Sequence, residues 1–398
     1  MSEHPLQDIR VIAVEQYGAG PYGSMYLADL GAEVIKIEQP RIGGDIARQT
    51  GPFFLGSGDS LFFQTFNLNK KSLALDLKNP RAREVFARLV ESADAVMNNL
   101  RGDQPEKLGL THASLAAVNP KVVCAHLSAY GRDNERADWP GYDYLMQAEA
   151  GFMSLTGEPD TIPARFGLSM VDYMTGVVTA AGLLAALISA MKTGRGRDVD
   201  VSLFDVALHQ LSYPATWFLN EGLETTRVTR SAHPSTVPCQ LFRTSDDWIF
   251  IMAMTPKFWN LLLELTGSEY LNDDPRFATV TARREHRDAL TTILDAVLST
   301  RTTDDWMELF CGKIPAAPIH NLQQALNNPY IHAIGMVQTT VHPGNPKLRT
   351  LSNPIKLDNR RLSGKACPTM GADTEAILTG LGYSQDEMQA LRNAGAIG

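Results

Sequence analysis

Short apolar runs alternate with segments of helical periodicity over the first 130 residues, the rhythm of a wound parallel sheet. The run IRVIAV reads as a buried strand. The glycine-rich turn from Gly18 to Gly23 leads into a helix that Gly31 closes, and AEVIKIE is the next strand, so the chain opens on a βαβ unit. SLALDL reads as a strand, NPRAREVFARLVESA as a helix capped by Asn79 with Pro80 at its first position, and ADAVMN as a strand again. A short helix begins at Thr111, and KVVCAHLSAYG is largely apolar, as a strand covered on both faces must be.

From about Gly151 the pattern changes to a loop rich in Gly and Pro, then a long apolar helix, the turn KTGRGR and the alternating strand DVDVSLF. Another helix runs through Asn220, and the polar stretch 222 to 238 marks a boundary. Beyond it CQLFRT and WIFIMAM flank SDD as a hairpin, and helical periods follow at 257 to 266, 283 to 299 and 303 to 311. Residues 334 to 358 are strand-like, and two helices end the chain, the last opened by a capping box of Ser384 and Glu387. The expected organisation is a large wound α/β domain over 1–221, a smaller α+β domain over 222–325, and a segment 326–398 returning to the first.

Composition changes this picture in three places. Met174 to Met191 is an uncharged run at the lower limit for a membrane span, but its many small residues suit a helix packed inside a protein. With 36 Lys and Arg against 44 Asp and Glu, the net charge of -8 argues against bulk attraction to nucleic acid or anionic membrane. Cys124, Cys239, Cys311 and Cys367 have no metal or disulfide spacing, and the N-terminus lacks a signal-peptide pattern, so a cytoplasmic protein with reduced thiols is expected.

Gly18, Gly20 and Gly23 fit GxGxxG after a strand, and Glu38 ends the next strand, which by rule is a dinucleotide fingerprint and points to a nicotinamide-dependent dehydrogenase. The same glycines serve equally as a tight turn, or as a helix start receiving the phosphates of another nucleotide. Lys70 and Lys71, and Arg101 and Lys107, are basic pairs near strand ends; their plainest role is a solvated loop. Asp172 stands before the long apolar helix, where it reads as an N-cap kept ionised by the helix end, or as an oriented carboxylate able to attack a thioester. Asp143 is a cap or a second acid, and His126, His233 and His320 read as packing or surface residues.

Together GAGPYGSMYLADLGAEVIKIEQP, NLNKKSLALDL, NNLRGDQPEKLGL, GYDYLMQAEAG, LSMVDYMTG and KTGRGRDVDVSLFD resemble, in order and spacing, the family III CoA-transferases, a group that also contains acyl-CoA racemases. IPAAPIHNLQQALNNPYI and LSNPIKL extend the likeness over nearly the whole chain. The resemblance implies an interlocked homodimer, acyl-CoA and carboxylic acid substrates, and no permanently bound cofactor or metal. It makes Asp172 the catalytic aspartate and Asp143 the counterpart of an active-site Glu. Gly18 and Ala19 fall near the pantetheine, and Lys71, Asn99, Leu100 and Lys107, with Arg101 beside them, fall around the CoA nucleotide. Gln39 stands where many relatives have Arg, and Lys107 replaces a common Arg, which removes a bidentate phosphate grip. The run of glycines that covers the intermediates of formyl-CoA transferase is also missing, so formyl-CoA and oxalate are not the first choice. Tyr142 occupies the position of the racemase histidine, and a phenol with a pKa of about 10 is a poor base, so transfer is favoured over 2-epimerisation. Arg165, seven residues before Asp172, is either a structural ion pair or the partner of a second substrate carboxylate.

Overall fold

The computed structural model describes residues 4–56 and 58–398. They form two compact units. The first holds the chain up to Ala150, Phe166–Ser212 and Tyr330–Gly398; the second holds Gly151–Arg165 and Tyr213–Pro329. The first boundary therefore falls nine residues before the polar stretch at 222, and the small unit also takes in Gly151–Arg165.

The first unit is built on six parallel strands: β1 (Arg10–Val14), β2 (Glu33–Glu38), β3 (Lys71–Ala74), β4 (Ala95–Asn98), β5 (Val123–Ser128) and β6 (Asp198–Ser202). Their spatial order is β3-β2-β1-β4-β5-β6, so the winding direction reverses between β1 and β4. Alternate residues serve opposite faces and both faces are covered, which is why β1, β4 and β5 are largely apolar, whereas β6 at the edge of the sheet alternates Asp with Val. Val11, Ala13, Val34, Ala95 and Met97 pack on one side with Leu27 of α1 (Ala19–Asp29) and Leu183 and Leu187 of the long helix Met170–Thr193. Ile12, Ile35, Leu73 and Val96 pack on the other with Val85, Phe86 and Leu89 of α2 (Pro80–Glu91) and with Leu378 and Leu391 near the C-terminus. The C-terminal segment covers the exposed edge at β3: Asp373 accepts the Ser72 N–H, Thr374 accepts the Ala74 N–H, and Leu75 bridges Ile397.

The second unit has an antiparallel sheet of β7 (Cys239–Arg243), β8 (Trp248–Met252) and β9 (Ala316–Pro318). Phe242, Ile249 and Ile251 pack there against Trp259, Leu294 and Trp306 from three helices.

Two features of the first unit bear on function. Asp143–Glu149 forms α3, and Met170–Thr193, now α4, crosses α1 at very short range. A Cβ on Gly23 would lie 2.4 Å from the Gly176 carbonyl oxygen, and one on Gly176 would lie 2.5 Å from that of Ala19, so only glycines allow this crossing. α4 is long and apolar enough to cross a membrane. One face, including Val171, Gly176, Ala180, Leu183 and Ala190, is buried in the unit, while Val177, Val178, Ile188 and Met191 are exposed.

Candidate active site

The crevice lies where the strand order reverses, at the C-terminal ends of β1 and β4, the usual ligand position in open α/β sheets. It is a cleft of about 480 Å³, bounded by Gln16–Ala19 after β1, Asn99–Arg101 after β4, Ser128 and Ala129 after β5, the stretch from Trp139 to Tyr142, and Asp172. Asp172 arrives there because α4 passes over the start of α1: a Cβ on Gly18 would lie 3.2 Å from Asp172 Oδ2. Gly18 and Ala19 thus open α1 directly beside the carboxylate.

Asp172 is not the N-cap of its helix. α4 begins at Met170 after Ser169, which places Asp172 in the first turn. The capping acceptor comes from another helix: Asp143, the first residue of α3, accepts the Asp172 N–H on Oδ2 at 2.9 Å and the Gln147 Nε2–H on Oδ1 at 2.6 Å. Nor is Asp172 held ionised by the helix end. Burial first, and then the charge of Asp143, push its pKa up to about 7.

The remaining residues singled out in the sequence divide. Leu100, Arg101 and Tyr142 line the cleft, with Tyr142 strongly exposed. Arg101 and Lys107 reach the same carboxylate, Asp103, at 2.7 and 2.6 Å, and are exposed on the loop after β4. These partners hold Asp103 well below the usual carboxylate range. Asn99 borders the cleft, but its amide is committed to the neighbouring turn, accepting the Gln16 N–H at 2.9 Å and donating to the Gln16 carbonyl at 2.7 Å. Lys71 is not brought to the cleft: its ammonium pairs with Glu33, beside Arg10, toward the N-terminal edge of the sheet. Lys70 is fully buried, bonded to Glu15 and the Pro21 carbonyl. Arg165 belongs to the second unit.

The dinucleotide reading does not survive this geometry. Glu38 is buried and held by Arg48 through two hydrogen bonds of 2.7 Å and by Ser72, so it is not free for a ribose. Each glycine of GxGxxG instead meets protein: Gly18 faces Asp172, Gly20 faces Asn99 and Gly23 faces Gly176. His126, read as a packing residue, has a defined partner in Asp198 at 2.8 Å, with Asn98 on its other ring nitrogen. Tyr17, Ile46 and Trp139 also line the cleft, and no local sequence pattern marks them.

Comparison with known proteins gives the family. The profile of CoA-transferase family III matches residues 6–374. The succinate–glutarate CoA-transferase of Agrobacterium fabrum is 34% identical over 83% of this chain and 84% of its own length. The succinyl-CoA:mesaconate CoA-transferase of Haloarcula hispanica is 32% identical over 88% of this chain and 90% of its own. The crystal structure of a CaiB/BaiF family protein from Brucella suis superposes with a TM-score of 0.82 at 32% identity, covering 96% of this chain and all of that one. The chain belongs to CoA-transferase family III.

Proposed function

We propose that the protein moves CoA from an acyl-CoA donor to a dicarboxylic acid such as succinate, mesaconate, citramalate or glutarate, with Asp172 as the carboxylate that is acylated. The observation that carries this reading is a desolvated carboxylate at a cleft, beside the amides that open a helix. An Asp172 oxygen attacks the donor thioester carbonyl; the C–S bond breaks, giving a mixed anhydride and CoA thiolate. The thiolate attacks the Asp172 carbonyl carbon, releasing the donor as its carboxylate and leaving an aspartyl-CoA thioester. The acceptor carboxylate then repeats both moves in reverse order and restores Asp172.

Each addition puts negative charge on an oxygen, and amides fixed in place stabilise it without reorganisation. Gly18 and Ala19 are assigned this part, and Asp143 orients Asp172 through its backbone N–H while tuning its charge. Arg101 and Lys107 supply positive charge for the CoA phosphates on the loop after β4. The dicarboxylate preference rests on the relatives named for succinate, glutarate and mesaconate, and on assigning Arg165 to the acceptor's distal carboxylate. The exposed apolar residues of α4, Val177, Val178, Ile188 and Met191, are offered as a surface for a second copy in a homodimer, and a cytoplasmic location is part of the proposal.

The test is hydroxylamine trapping during turnover with succinyl-CoA and candidate acids, followed by peptide mass spectrometry. The expected result is a modified peptide containing Asp172, absent in Asp172→Ala. Transfer by that variant at the wild-type rate refutes the mechanism. In the same screen Arg165→Met lowers kcat/KM for dicarboxylates about ten- to a hundredfold more than for monocarboxylates of similar length. Equal losses make Arg165 structural. Rapid deuterium uptake at carbon two of the acyl group would favour the racemase reading.

A further inference from the structure

The turn between β1 and α1 is held far more firmly than a surface turn requires. Tyr17 has a φ of +70°, a left-handed conformation that a bulky L-residue rarely adopts. Its side chain does not explain this, for it is more than a third exposed and rests against Phe62 at the cleft. The backbone does. The Tyr17 N–H donates to Asp45 Oδ1 at 2.9 Å, and Asp45 also accepts the Ala47 N–H at 2.9 Å.

Asp45 is itself fixed. Its carboxylate is wholly buried and pairs with the equally buried Lys36 at 2.8 Å. Lys36 in turn donates to the Glu15 carbonyl at 2.9 Å. Burial opposes both charges, yet each partner holds the other ionised: Asp45 is lowered by Lys36, and Lys36 is raised by Asp45, Glu15 and Glu38. Counting Asn99 on Gln16, three consecutive residues of one turn have backbone groups held by side chains from three other places in the chain. The next two residues are Gly18 and Ala19, beside Asp172.

We propose that Asp45, held by Lys36, is a positioning residue that clamps Tyr17 in its left-handed conformation and thereby aims the Gly18 and Ala19 amides at the carbonyl that reacts with Asp172. Without the clamp, Tyr17 relaxes to negative φ and carries those amides off the line of reaction. The inference rests on the reading of Asp172 as the acylated carboxylate, and it adds residues that touch neither substrate nor reacting atoms.

A double-mutant cycle tests it. Lys36→Met/Asp45→Ala removes the clamp without leaving one buried charge unpaired, and Tyr17→Gly removes the need for it, because glycine takes positive φ readily. In the Tyr17 background, clamp removal should lower kcat about thirtyfold or more and leave KM for acyl-CoA within about threefold, since a misplacement of about 1 Å costs on this scale. In the Tyr17→Gly background the same removal should cost at least about fivefold less. If the double substitution melts below the assay temperature, Asp45→Asn takes its place in the cycle, with a smaller fall and the same sign of coupling expected. Equal falls in both backgrounds, or an effect confined to KM, overturn the positioning role while leaving Asp172 as the acylated residue. A wild-type protein that transfers no CoA to any acid overturns both.

Discussion

If the pKa of Asp172 lies near 7 because of burial and the charge of Asp143, the rate must depend on pH in a way that one substitution can move. In the proposed mechanism the attacking species is the carboxylate, so kcat/KM should rise with pH to a plateau, with about a tenth of the enzyme competent at pH 6 and about nine-tenths at pH 8. Asp143→Asn removes the neighbouring charge and keeps an oxygen for the Asp172 N–H, which Asp143 now accepts at 2.9 Å. The pKa rises from 3.8 to about 7, and burial is the larger of the two causes. The charge of Asp143 therefore accounts for less than half of that rise, and removing it should shift the limb toward acid by about one pH unit. The assay is kcat/KM from pH 5 to 9 at constant ionic strength, for both enzymes with the same acyl-CoA, so that substrate ionisation is common to both. The new amide nitrogen faces the Gln147 Nε2 donor, a clash worth about 1 to 3 kcal/mol that belongs in the melting temperature and leaves the limb where it is. An unmoved limb, or one moved toward alkali, refutes the electrostatic coupling.

Two further outcomes follow from the same geometry. A carboxyl with a raised folded-state pKa binds its proton more tightly in the folded protein, so its contribution to stability is full below about pH 4 and is lost as pH rises through about 7. Asp172→Asn should therefore be more stable than wild type at pH 8, by roughly 2 to 4 kcal/mol, with the gap closing toward pH 4; chemical denaturation at several pH values measures it. Gly176→Ala places a methyl 2.5 Å from the Ala19 carbonyl oxygen and forces α1 and α4 apart. It should cost about 1 to 3 kcal/mol in denaturant unfolding and lower kcat even where the protein is fully folded.

Much of the fold was legible because its central strands are covered on both faces and read as largely apolar runs, and because its caps are local. Asn79, Thr111 and Ser384 cap the helices that follow them, as their positions indicate. Asp172 misled for the complementary reason. The carboxylate that caps α4 is Asp143, which is distant in the chain, and no short window contains a non-local cap. Lys70 and Lys71 look equivalent in the sequence, yet one ammonium enters the interior against Glu15 and the other meets Glu33, as successive side chains of extended backbone do. The clamp at Tyr17 was invisible too. Lys36 sits in IKIE as an ordinary member of a strand, and Asp45 lies in a glycine-rich loop; only the fold brings them together.

The glycine motif shows how a pattern can be right about place and wrong about chemistry. The strand order, the switch point and the turn after β1 are all those of a dinucleotide-binding sheet, and the cleft lies where such a sheet binds its ligand. In that setting glycines let backbone approach a pyrophosphate. Here they let backbone approach protein: the Asp172 carboxylate at Gly18, the Asn99 side chain at Gly20, and the backbone of α4 at Gly23. The crossing of α1 and α4 at Gly23 and Gly176 is what sets Asp172 beside the start of α1, so the same residues that imitate a nucleotide fingerprint build the position of Asp172. The acid at the end of β2 separates the two cases. In a dinucleotide site it must face the ligand, whereas Glu38 is locked against Arg48 and Ser72 in the buried network that also contains Asp45. An acid so committed turns the fingerprint from a ligand site into a brace for the turn above it.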